Sequence, residues 1–73
     1  MSSYGIVLFY TTSAVMRAEK VLNKANVNVK LIPTPRELSS DCGIALRFDW
    51  EQAGNIEAIL DEANVEIAGV YGI

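Results

Sequence analysis

Residues 4–32, YGIVLFYTTSAVMRAEKVLNKANVNVKLI, and residues 42–70, CGIALRFDWEQAGNIEAILDEANVEIAGV, align without a gap at an offset of 38. Identical pairs are Gly5/Gly43, Ile6/Ile44, Leu8/Leu46, Glu19/Glu57, Leu22/Leu60, Ala25/Ala63, Asn26/Asn64 and Val27/Val65, eight of 29 positions. Any two strand–helix–strand units share an apolar pattern, which accounts for the leucines and valines. It accounts less well for an ungapped Ala-Asn-Val in both copies. Internal periodicity reports architecture, so the expectation is a single domain over 1–73, made of two repeated βαβ halves, 4–32 and 42–70, joined by a loop at 33–41.

Each half reads as strand, helix, strand. Gly5–Tyr10 is a short apolar, β-rich run suited to a buried strand. Ser13 is the expected N-cap of the first helix, with Ala14, Ala18, Val21, Leu22 and Ala25 at helical spacing. Asn26 can close that helix because asparagine tolerates positive φ. Val27, Val29 and Leu31 then alternate with Asn28 and Lys30 as a half-exposed strand. In the second half, Gly43–Phe48 is the strand and Asp49 caps a helix running to about Ala63. Asn64 ends that helix, and Val65–Tyr71 is the last strand. Gly54 weakens the second helix by about 1 kcal/mol relative to alanine.

Two βαβ units with right-handed crossovers predict an α+β fold, the ferredoxin-like βαββαβ two-layer sandwich. Its sheet is four-stranded and antiparallel, with the first and third strands central and two helices on one face. The other face is then partly exposed and, with the edge strands, offers docking surfaces for a partner or a second copy.

The chain has 73 residues, a formal net charge of −3 and a sequence pI of about 4.6. That balance repels phosphate backbones, and no basic stripe with interleaved aromatics is present, so nucleic acid is an unexpected partner. MSSYG lacks a basic region followed by a long apolar run, so no signal peptide is expected. The longest apolar run, Ile6–Tyr10, is too short to cross a membrane. One cysteine cannot form an internal disulfide, and a free thiol suits a reducing, cytoplasmic setting.

That cysteine, Cys42, ends the polar stretch PTPRELSSDCG. In the expected topology the third strand starts where the first ends, which brings Cys42 toward the Thr11-Thr12-Ser13 turn. A helix N-terminus stabilises anions and lowers a thiol pKa. Arg36 and Arg47 support a thiolate, whereas Glu37 and Asp41 oppose it. Ser39 and Ser40 can donate hydrogen bonds to sulfur, Gly43 leaves room for close approach, and Pro33 and Pro35 stiffen the loop and keep it out of the flanking strand. The bland alternative is a lone cysteine acting as a small buried hydrophobe. With no histidine there is neither a Cys–His nucleophile pair nor a set of zinc ligands. No phosphate-binding glycine fingerprint follows a strand. Glu51, Glu57, Asp61, Glu62 and Glu66 read as a solvated face, and Trp50 as a packing residue. No metal or cofactor is expected, and any chemistry belongs to Cys42.

The run LIPTPRELSSDCGIALRF resembles the signature of the selenium/sulfur carrier protein-like domains, and Ala18, Glu19, Lys20 and Leu22 in the first helix fit the same family. The resemblance covers nearly the whole chain. It implies a carrier, rather than a stand-alone enzyme, that holds sulfur or selenium on Cys42 as a persulfide or selenopersulfide. Pro35, Arg36, Glu37, Ser39, Ser40 and Gly43 match the accompanying motif. The implied partners are a cysteine desulfurase-like donor of sulfur or selenium and an acceptor protein. Two alternatives from other classes stay open: a small-molecule-binding or dimerisation module with a structural cysteine, and a redox sensor forming an intermolecular disulfide.

Overall fold

A computed structural model describes residues 3–38 and 43–72. Element by element, β1 is Tyr4–Leu8, α1 Thr12–Lys24, β2 Val29–Pro33 and β3 Ile44–Asp49. A short 3-10 turn, Trp50–Gln52, leads into α2, Ala53–Glu62, and β4 is Gly69–Gly72. The fold is α+β, with all four strands in one antiparallel sheet of order β2-β3-β1-β4. The first and third strands are therefore central and antiparallel, as the crossover argument requires.

Strand alternation divides the core in two. Val7, Phe9, Leu46 and Phe48 pack with Val15, Ala18 and Leu22 of α1 and with Ile56 and Leu60 of α2, so both helices lie on one face. The opposite side chains, Ile6, Leu8 and Ala45, form a second cluster with Ile32, Leu38 and Ala68. That face departs from the expected open surface at its centre, since Ile6, Leu8 and Ala45 are at most 2% exposed. Burial on both sides explains why β1 is a continuous apolar run rather than an alternating one.

Both helices end by the same device. Asn26 and Asn64 take left-handed conformations, with φ of 62° and 58°. Val27 N–H donates to Leu22 O and Val65 N–H to Leu60 O, each at 2.9 Å. This is the Schellman closure, in which the residue after the left-handed one bonds back across the last turn and buries its side chain. Arg17 ties the helices together, its guanidinium donating to the Ala63 carbonyl at 2.9 Å. A cation there also meets the negative end of α2.

Several boundaries differ from the sequence reading. The N-cap of α1 is Thr11, whose hydroxyl accepts from Ala14 N–H at 3.1 Å, and Ser13 is already helical. Chain direction decides this, because β1 stops at Leu8 and the helix starts as soon as one hydroxyl can cap it. Thr11→Ala is expected to cost about 1 kcal/mol, read as a lowered urea midpoint with unchanged slope. Asp49 precedes the 3-10 turn and makes no side-chain capping bond. Pro33 is the last residue of β2 rather than outside it; β2 is an edge strand, where a missing N–H is tolerated. β4 starts only at Gly69, after Ala68 N–H donates to Leu8 O at 2.7 Å. Leu31 is 38% exposed because its strand lies at the sheet edge.

Candidate functional site

Antiparallel pairing sets the site's location. β3 begins, at Ile44, at the end of the sheet where β1 stops and α1 starts. The loop before it is closed at its base by Thr34 N–H donating to Gly43 O at 3.0 Å. Its first half is a turn in which Leu38 N–H donates to Pro35 O at 3.0 Å. Leu38 is half-buried and packs on the cluster of Ile6, Leu8 and Ala45, so this first half lies over the helix-free face.

Of the residues read from sequence, Pro35, Arg36, Glu37 and Gly43 lie in this loop. Pro35 is half-buried, whereas Arg36, Glu37 and Gly43 are exposed. Thr11, Thr12 and Ser13 are exposed at the start of α1. No acidic residue occupies the first turn of α1, so its positive end keeps its full attraction for an anion. Cys42, Ser39 and Ser40, and with them Asp41, lie outside the described residues. Gly43 is bonded directly to Cys42, and a Cβ added at Gly43 would meet no described residue within 4 Å.

Arg47 does not belong to this group. Its guanidinium carbon sits 4.7 Å from the centroid of the Tyr4 ring, near the other end of β3. Four residues of strand separate it from Gly43, roughly 13 Å. Nearness in sequence suggested a role at the thiol, but an extended strand carries a side chain away by about 3.3 Å per residue. Trp50 is a packing residue, stacked on Phe48 with ring centroids 6.0 Å apart. Sequence reasoning passed over Thr34 and Leu38, which close and anchor the loop. The available signal was Leu38, the one aliphatic side chain among residues 36–41.

Among the described residues no group of three or more Cys, Asp or Glu is placed to hold a metal ion. No described helix is long and apolar enough to cross a membrane. The pattern of the family described as "putative Se/S carrier protein-like" matches residues 4–72. The chain belongs to this family. No curated protein and no solved structure matches it. The match spans every strand and both helices, and it includes Cys42 and the whole 33–43 loop. In this member of the Se/S carrier-like family, β3 starts at the end of the sheet where β1 stops and α1 begins.

Proposed function

We propose that the chain is a carrier that holds sulfur or selenium on Cys42 and passes it between two proteins in a reducing, cytoplasmic setting. The family match over residues 4–72 carries this reading, because Cys42 is the chain's sole thiol. We read the architecture as ferredoxin-like βαββαβ, with 4–32 and 42–70 as repeated halves.

Loading is a thiol–disulfide-type exchange. The Cys42 thiolate attacks the outer sulfur of a donor persulfide, R–S–SH. The donor's S–S bond breaks, R–S⁻ leaves, and Cys42–S–SH forms. Delivery is the same step in reverse, with an acceptor thiolate attacking the terminal atom and the Cys42 thiolate leaving. Selenium follows the same path from R–S–SeH. Neither step consumes an external oxidant or reductant. The α1 N-terminus and Arg36 stabilise the sulfur anion, and Ser39 and Ser40 orient it. Thr11, through its cap, fixes where the helix begins. The partners are a cysteine desulfurase-like donor and a thiol-bearing acceptor, and they dock beside Gly43, where no described residue lies within 4 Å of an added Cβ.

The test is intact-protein mass after incubation with a cysteine desulfurase and L-cysteine. Wild type is expected to gain one sulfur atom that reducing thiols remove, and Cys42→Ser to gain none. Gly43→Ala is expected to leave thermal stability unchanged while slowing loading by the donor protein. An unmodified wild-type mass, with a thiol that also resists alkylation in the folded protein, would overturn the carrier. The domain would then be a binding module with a structural cysteine. A disulfide-linked dimer without added sulfur would instead identify a redox sensor.

A further inference from the structure

The helix-free face carries a second arrangement, near the end of the sheet remote from Gly43. Lys30 on β2 and Arg47 on β3 are direct cross-strand partners. Like charges placed opposite each other destabilise a sheet. Here the pairing uses two of only six cations in a chain of net charge −3. Arg47 lies over the Tyr4 ring at 4.7 Å, a cation–π contact that holds the planar guanidinium in place. The two cations and Tyr4 line one surface groove with Asp49 and with Asn28, Val29 and Phe48, although the side chains of Val29 and Phe48 turn to the helix layer. Tyr4 is 39% exposed and Lys30 is exposed, so the groove is open to a ligand.

We propose that Lys30, Arg47 and Tyr4 bind a small oxyanion, either a phosphate monoester or a carboxylate. A guanidinium held flat presents a fork of N–H donors that fits either oxyanion, while lysine adds a mobile point charge. Asp49 offsets one of the two cations and leaves the groove with net positive charge. The bound anion relieves the Lys30–Arg47 repulsion, which makes this sequence choice intelligible. The groove shares no residue with the 33–43 loop, so its test is independent of chemistry at Cys42.

The experiment titrates the full chain with phenyl phosphate and, separately, with benzoate, following amide and Tyr4 ring shifts by NMR. Saturable shifts confined to the groove are expected, and the tighter of the two probes identifies the class of oxyanion. Lys30→Glu is expected to weaken binding by at least about tenfold. It is also expected to raise Tm by about 1–8 °C, because the repulsive pair becomes attractive. Arg47→Gln should weaken binding similarly, and Cys42→Ser should leave it intact. If neither probe shifts the groove residues, or if binding survives both Lys30→Glu and Arg47→Gln, the site does not exist.

Discussion

Replacing Gly5 with alanine is expected to destabilise the domain by about 1–3 kcal/mol, the cost of overpacking a filled core. Gly5 pairs with Phe48 across the centre of the sheet. A Cβ there would meet the Phe48 ring, its Cε1 at 2.8 Å, and Trp50 Cε3 at 2.7 Å. Backbone conformation adds nothing, since no glycine among the described residues has positive φ. The clash is with side chains alone, so shrinking one of them should relieve it. Phe48→Leu on its own removes buried ring surface and destabilises, yet the double variant should be more stable than the two separate costs predict. Residues in contact commonly show such coupling at about 0.5–3 kcal/mol. Urea unfolding of the four proteins in the cycle measures it. Strictly additive costs would mean that the ring is not what excludes a side chain at position 5.

Gly43 aligns with Gly5 in the repeat, and the contrast shows what the sequence could tell. The two residues are identical in type and position, but one lies beneath two aromatic rings and an added Cβ at the other meets no described residue. Nothing in the alignment separates a glycine required by packing from one next to a loop. The helix ends were legible, because asparagine at positions 26 and 64 is chemically suited to a left-handed turn and both adopt one. The central strands were legible as well, from short apolar runs and the handedness of crossovers. The cap of α1 was not. Thr11, Thr12 and Ser13 all carry hydroxyls, and only the point at which β1 stops selects among them. Coverage of the helix-free face was hidden because it depends on Leu38 returning from a loop whose path no periodicity encodes. Arg47 was assigned to the thiol because five residues seem near in a sequence; along a strand they are far apart. At the candidate site, a single thiol at the end of a polar loop was legible, and the family match spans it. Its surroundings depend on which elements meet at that end of the sheet.

The same helix ends give the second large effect. Leu22 and Leu60 are at most 1% exposed and belong to the cluster between sheet and helices. Each is also the residue whose carbonyl receives the closing Schellman bond, from Val27 and Val65. Leu22→Ala and Leu60→Ala are each expected to cost about 2–5 kcal/mol, through lost burial and the cavity left behind. The carbonyls remain in both variants, so this loss belongs to the side chains. Asn26→Ala and Asn64→Ala test the other contribution. Each removes the short polar side chain that eases the left-handed conformation, at no more than about 1–2 kcal/mol. A domain of this length has a total stability of roughly 4–11 kcal/mol. The leucine double variant should therefore be largely unfolded, while the asparagine double variant remains folded with a lowered midpoint. Circular dichroism through a urea titration ranks the four single variants and the two doubles. If the asparagine variants proved as costly as the leucine ones, local closure of the helices would dominate stability, and the shared core would be secondary. The burial of both leucines against Val7, Phe9, Leu46 and Phe48 predicts the opposite order. The helix layer holds its place by packing, and the repeated Leu-x-x-Ala-Asn-Val closes each helix where that packing ends.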